Sequence, residues 1–243
     1  MRILQIIYII IYLSQCSQLI ISHITYRSIH SEVHVAKERY IQTKNEERFN
    51  SLTHAIGAAL AIVGAVPMII HAEADGSCAV FSSVCYTASL FLLYTVSAVY
   101  HAAITPSFKQ HLRILDHCSI FILILGTYVP YSLLIVGGAA GWLVFGANIA
   151  LAIIGITIKI IDLERFERAS MVLYLIMGWL AVLVVPTIVK SLPTHRLMLL
   201  LSGGVTYTVG IIFFKQERKY MHAIWHLFVL AGSILQYFSL IGT

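Results

Sequence analysis

The chain has 243 residues, of which 59% are hydrophobic and only 11% are charged, and its formal net charge is +5. This composition exceeds what the core of a soluble domain of this length needs, and it is typical of a polytopic membrane protein. The positive charge lies in loops, where membrane orientation accounts for it. We therefore exclude nucleic acid as a partner and expect membrane lipid instead.

An apolar stretch opens the chain, ILQIIYIIIYLSQCSQLIIS at residues 3–22. Its centre resembles the hydrophobic region of a signal peptide, but no small-residue cleavage pattern follows it. Three interpretations remain open: an extra N-terminal span, an interfacial segment, or a translation start assigned too far upstream. We separate residues 1–45 as an N-terminal extension, an apolar segment plus a basic linker, and expect residues 1 to about 40 to be dispensable for folding.

Seven further apolar runs follow, each close to the roughly 20 residues that cross the hydrocarbon core of a bilayer. They lie at residues 52–72, 79–101, 114–136, 138–159, 169–189, 196–214 and 221–241. The pattern predicts an all-α membrane protein in which residues 46–243 form a seven-transmembrane helix bundle. Pro130 and Pro186 predict kinks within the third and fifth spans.

Lys and Arg are distributed unequally between the two ends of the predicted bundle. The end that holds the start of span one carries 13 of the 16 Lys and Arg residues, the opposite end carries two, and Arg2 is the remaining one. By the positive-inside rule, the segment before span one is cytoplasmic and Thr243 lies outside.

Four ionisable residues interrupt the apolar spans near the predicted cytoplasmic end. They are His101 at the end of span two, Asp116 at the start of span three, and His222 and His226 at the start of span seven. Glu47, Asn50 and His54 lie at the same level in span one, and their spacing of three and four puts them on one helical face. Ionisable groups within spans are costly and normally mark a functional site in the bundle interior.

His222 and His226 are four residues apart, so their side chains project from one face of a helix. This spacing is typical of a metal site, and a third histidine from another helix, His101, completes the three-His set of a catalytic zinc. Zinc is favoured because iron or manganese more often recruits carboxylate ligands. The alternative stays open that these histidines are interfacial residues bonded to backbone or lipid headgroups.

Two further polar residues also permit two interpretations. Ser97 is either a packing residue bonded within its own helix or a contact to a metal-bound water. Asp116 is either a helix N-cap or a partner of the metal site that acts as a general base. The residues alone do not choose between these roles.

Six motifs carry a resemblance to a known family. They are EERFNSLTHAIGA, SAVYHA, LDHCSIFILILGTYVPY, LYLIMGW, GGVTYTVGIIFF and MHAIWHLFVLAGS. Together they resemble the bacterial hemolysin III family, which is similar to the progestin and adipoQ receptors and more distantly to alkaline ceramidases. The resemblance covers roughly residues 46–241, with the motifs in family order, and is therefore more specific than any one motif.

The resemblance implies a seven-span protein of the bacterial inner membrane with a zinc ion near the cytoplasmic side. It implies His101, His222 and His226 as zinc ligands. Ser97 and Asp116 match further polar positions of that site, with Asp116 near the metal-bound water.

Function stays open between two main hypotheses. The first is a membrane-embedded zinc hydrolase of a lipid amide or ester, with Asp116 as the group that accepts and returns a proton. The second is a non-enzymatic protein with structural zinc, either a receptor-like sensor or a membrane-perturbing, cytolytic protein. A haem site ranks last, because His222 and His226 on one helix cannot occupy opposite faces of a macrocycle.

Overall fold

The computed structural model describes residues 41–242, and the N-terminal apolar segment lies outside these residues. The helices are α1 (Lys44–Glu73), α2 (Ser77–Ala102), α3 (Pro106–Pro130), α4 (Gly138–Ile161), α5 (Glu167–Trp179), α6 (Val185–Ser191), α7 (Thr194–Phe214) and α8 (Met221–Leu240). A π-helical segment, Tyr131–Val136, extends α3, and a 3-10 segment, Leu180–Val184, joins α5 to α6.

These helices form seven spans, each long and apolar enough to cross a membrane. Spans one to four are α1, α2, α3 with its π-helical segment, and α4. Span five is α5 and α6 together, span six is α7 and span seven is α8. The predicted seven-span, all-α architecture is confirmed, and the described residues contain no strand.

Two spans change their helical form at the prolines that predict kinks. Span three passes from α-helix to π-helix directly after Pro130. In span five the 3-10 segment ends at Val184, and α6 begins with Pro186 in its first turn. In span five the change follows from the missing N–H of Pro186 and the clash of its ring with the preceding turn, whereas in span three the π-helical segment lies on the C-terminal side of Pro130.

Span one begins eight residues before its predicted apolar run, at a capping box. The Thr43 N–H donates to Glu46 Oε2 at 2.9 Å, while the Thr43 hydroxyl accepts from the Glu46 N–H at 3.4 Å. These bonds satisfy N–H groups that a helix start leaves without partners. The helix therefore continues through the polar first turns, which hold Glu47 and Asn50.

Glu46 also fixes the start of span seven. Its Oε1 accepts a hydrogen bond from the backbone N–H of Tyr220 at 2.6 Å. Tyr220 precedes α8 and has a φ of 62°, a left-handed conformation that is costly for a residue with a Cβ atom. The carboxylate of span one thus holds the turn that sets the position of His222, two residues later.

Spans two, three and seven supply most of the buried centre of the bundle. The main apolar core includes Tyr94 and Leu90 from span two, Leu123 from span three and Val229 from span seven. Large apolar side chains remain exposed on the outer faces of the spans. A hydrocarbon solvent accepts such a surface, so the exposed apolar faces agree with a membrane location.

Candidate metal site

Three histidines from two spans converge at the end of the bundle that holds the starts of spans one, three and seven. His101 comes from the last turn of span two, and His222 and His226 from the first turns of span seven. Each offers one ring nitrogen, and these three nitrogens lie within 4.8 Å of one another. The Nε2 atoms of His222 and His226 are 3.0 Å apart.

Glu47 of span one orients the His101 ring. Its Oε2 lies 2.7 Å from His101 Nδ1, and its Oε1 lies 2.9 Å from Lys109 Nζ. Because a carboxylate can only accept a hydrogen bond, this contact assigns the proton to Nδ1. The Nε2 atom is then unprotonated, and its lone pair is available to bind a metal. A carboxylate in this position also fixes the ring and raises its basicity toward a metal.

His226 is oriented by the same helix through a different group. Its Nδ1 lies 3.3 Å from the backbone oxygen of Asn50 and 3.5 Å from the hydroxyl of Thr53. The carbonyl oxygen can only accept, so Nδ1 carries the proton and Nε2 is available as a ligand atom. Span one therefore supports two of the three histidines without belonging to the three-His cluster itself.

The cluster fits a zinc ion by donor type and spacing. In a tetrahedral zinc site with Zn–N bonds of 2.0–2.1 Å, two ligand nitrogens lie roughly 3.4 Å apart. The corresponding nitrogens here are 3.0 Å apart in His222 and His226, and all three lie within 4.8 Å of one another. His101 Nε2 is buried and has no hydrogen-bond partner among the described residues. Buried polar atoms rarely lack a partner, and an all-imidazole set suits zinc, so these residues are a candidate metal site.

A cavity of about 150 Å³ extends from this site into the bundle. His222 and Gln236 both line it, and they are separated by fourteen residues of α8, which corresponds to roughly 20 Å along the helix axis. The lining between these ends is mainly apolar, with Leu93, Leu123 and Val229 on the wall. Tyr131 lines its far end, where its hydroxyl donates to Gln236 Oε1 at 2.8 Å.

Ser97 and Asp116 face this cavity from spans two and three. Ser97 is buried and Asp116 is half-buried, and the Ser97 side chain lies beside the Asp116 carboxylate. Asp116 lies in the third turn of α3, which begins at Pro106, so it is not the N-cap of this helix. It is not part of the three-His cluster but lines the same end of the cavity.

The sequence pattern missed the roles of Glu46 and Glu47. It puts Glu47 at the right level and on the same helical face as Asn50 and His54, but it names no partner for its carboxylate. Glu46 and its bond to Tyr220 leave no signal in hydropathy or motif spacing. Two adjacent carboxylates in the first turn of a membrane span are the feature that could have indicated both contacts.

Comparison with known proteins agrees with this arrangement. Residues 42–237 match the family described as Haemolysin-III related. The chain belongs to this family.

Three relatives show how far the likeness to other Haemolysin-III related proteins extends. Hemolysin-3 of Bacillus cereus is 42% identical over 205 residues, covering 84% of this chain and 94% of the relative. The Hemolysin-3 homolog of Bacillus subtilis (strain 168) is 38% identical, covering 82% and 94%. The human Monocyte to macrophage differentiation factor is 30% identical, covering 84% and 87%.

The predicted membership of the hemolysin III family is confirmed by these matches. The human relative agrees with the predicted relation to the progestin and adipoQ receptors. In this Haemolysin-III related chain, the three-His cluster, Ser97 and Asp116 all lie within the matched residues.

Proposed function

We propose that this protein is a zinc-dependent hydrolase that cleaves an amide or ester bond of a membrane lipid. One observation carries the proposal: three buried or half-buried histidines converge at the end of an apolar cavity whose wall there also holds Asp116 and Ser97. A narrow apolar cavity with a few polar groups at one end suits a ligand with an acyl chain and a polar head.

His101, His222 and His226 would hold the zinc ion through their Nε2 atoms. When bound, zinc supplies a Lewis acid that polarises a carbonyl group and lowers the pKa of a coordinated water toward about 7. Glu47 and the Asn50 carbonyl keep the rings of His101 and His226 in the tautomer that presents Nε2. Spans one, two and seven thus already hold the groups that the site needs.

Asp116 would move the proton during hydrolysis. Its carboxylate faces the cavity at the metal end, where it can accept a proton from the attacking water and return it to the leaving amine or alcohol. The Ser97 hydroxyl lies beside this carboxylate and would hold it in place. The apolar wall binds the acyl chain and keeps bulk water away from the reacting bond.

The substitution Asp116→Asn tests this function. A general base contributes typically 10²- to 10⁴-fold to the rate, so we expect turnover of a lipid amide or ester to fall by this factor while zinc stays bound. The measurement pairs a lipid turnover assay with metal analysis of the same purified sample. Removal of zinc from the wild type should abolish turnover, and zinc alone should restore it.

A non-enzymatic role with structural zinc is the second candidate. The site ties spans one, two and seven together through the three histidines and the contacts of Glu47 and Asn50, which favours a stabilising role for the ion. In that case Asp116→Asn changes thermal stability only modestly and metal-loaded protein turns over no lipid. A membrane-perturbing activity, as the name Hemolysin-3 of the bacterial relatives suggests, would appear as dye release from vesicles.

The proposal includes an orientation with the metal site at the cytoplasmic side of the bacterial inner membrane. It is supported by the excess of Lys and Arg at the end of the bundle that holds the histidines. A reporter active in the cytoplasm should work when fused before Thr43 and fail when placed after Thr243. Cytoplasmic activity of the fusion after Thr243 would reverse the orientation.

A further inference from the structure

His54 lies beside the candidate metal site without belonging to it. Its ring is 3% exposed and lines the metal end of the cavity. One face stacks on His226, with ring centroids 3.6 Å apart and planes at 10°. Tyr94 meets it edge to face at 5.1 Å. These two contacts fix the orientation of the ring.

Neither ring nitrogen of His54 makes a hydrogen bond within the described residues. A backbone group of His226 lies near the ring, but it does not meet hydrogen-bond geometry. A neutral imidazole always presents one N–H donor and one acceptor. Buried groups of this kind are nearly always paired, and each exception calls for an explanation. Here the explanation lies in the cavity that the ring faces.

The ligand atoms of the three clustered histidines face one another, and the Ser97 side chain lies beside Asp116. The Asp116 carboxylate itself repels a carbonyl oxygen. Among the side chains that line the cavity, His54 is the one whose two ring nitrogens both lack a hydrogen-bond partner within the described residues, so it can offer an N–H group to a ligand oxygen.

We propose that His54 binds the carbonyl oxygen of the lipid ligand through a hydrogen bond from its ring N–H. The inference rests on the proposed function, because it takes the ligand to be an acyl compound with its carbonyl group at the metal end. It adds a binding residue from span one to the polar groups of spans two, three and seven. His54 stays outside the metal's own ligands.

A pair of matched probes tests this inference without any turnover. Heptadecan-2-one carries a carbonyl group that cannot be hydrolysed, and heptadecane has the same chain length without it. Binding of both is measured on the purified, zinc-loaded full chain and on two variants. His54→Phe keeps an aromatic ring of similar size without its nitrogens, and His54→Gln restores an N–H donor.

In His54→Phe we expect the affinity for heptadecan-2-one to fall roughly 2- to 12-fold, the range of one net hydrogen bond. Heptadecane binding and zinc content should not change, and His54→Gln should regain much of the lost affinity. The ligand-free His54→Phe protein should unfold at the same or a higher temperature, because a buried group without a partner has been removed.

Three outcomes would overturn the inference. They are an unchanged preference for the ketone in His54→Phe, a wild type that binds both probes equally, and a lower unfolding temperature of the ligand-free variant, which indicates a structural bond to buried water.

If His54→Phe loses zinc, His54→Leu replaces it, and zinc loss from both shows that His54 supports the fold instead. A wild type that prefers the ketone but hydrolyses no lipid contradicts the hydrolase and leaves His54 as a binding residue.

Discussion

The two sides of the cavity differ in how they are held. In the most apolar stretch of each span, half of the residues are buried in spans two and three and 44% in span seven. The share is 22% in span one, 17% in span five and 11% in span six.

The histidine side of the cavity is the side that holds His101, His222 and His226. Polar contacts join different spans there, including Glu46 with Tyr220 and Glu47 with His101. Spans five and six share, within the described part of the chain, the hydrogen bond from Trp179 Nε1 to Thr208 Oγ1 at 3.0 Å. Hydrogen bonds through Tyr128 and Tyr174 join span five to span three.

This difference separates two tasks within one bundle. A metal site requires ligand atoms held to a fraction of an ångström, and buried polar contacts between packed helices provide that rigidity. A wall that admits a long acyl chain from the membrane must instead open at a low cost in free energy. We therefore expect loss of the polar contacts that orient the three histidines to weaken zinc binding, and substitutions on the side of spans five and six to leave it unchanged.

The largest effect should come from the ligands themselves. Replacing His101, His222 or His226 by Ala removes one bond and the geometry of a three-ligand site, so each variant should lose most of its zinc. Metal analysis of the purified proteins measures this. His111→Ala is the matched control, because His111 is exposed at the same end of the bundle and should keep its zinc. Stoichiometric zinc in a His222→Ala, His226→Ala double variant would remove the metal assignment altogether.

A smaller effect on zinc is expected from Glu47→Gln. The amide keeps the size of the side chain but loses the charge that orients His101, and loss of such a partner typically weakens metal binding 10- to 100-fold. Competition with a zinc chelator gives the affinity. Lys109→Met is the control, since Lys109 contacts the same carboxylate at 2.9 Å but no histidine of the cluster, and its zinc affinity should change much less.

Equal zinc affinity in Glu47→Gln and the wild type would show that His101 needs no support from span one. The rigidity of the histidine side would then rest on helix packing alone. Equal losses in Glu47→Gln and Lys109→Met would point instead to a general loosening where spans one, two and three meet.

The spans could be predicted from the sequence because hydropathy and length are local properties of the chain. The three histidines could be predicted together because their helices all place them near the same membrane surface. The start of span one was harder: its apolar run begins near residue 52, whereas α1 begins at Lys44. The intervening turns are polar because the side chains of Glu46, Glu47 and Ser51 bind partners beyond span one, which no hydropathy scale registers.

The partner of each side chain could not be predicted for a related reason. Helical spacing puts Glu47, Asn50 and His54 on one face, but the crossing of span one with spans two and seven decides what each one meets. Glu47 meets His101, the Asn50 backbone meets His226, and His54 stacks on His226. Such contacts depend on tertiary packing, and one sequence carries little record of them.

The smallest effect is expected on the side of spans five and six, from Trp179→Phe. The substitution keeps an aromatic ring on the cavity wall but removes the N–H that bonds to Thr208, a net contribution of about 1 kcal/mol. The thermal unfolding temperature should fall only slightly, and the zinc affinity should equal that of the wild type. Thr208→Val removes the acceptor of the same hydrogen bond. The double variant should therefore be no less stable than the less stable of the two single variants. A loss of zinc in Trp179→Phe as large as in Glu47→Gln would mean that the two sides of the cavity are one mechanical unit, because the only bond removed is remote from every histidine of the cluster.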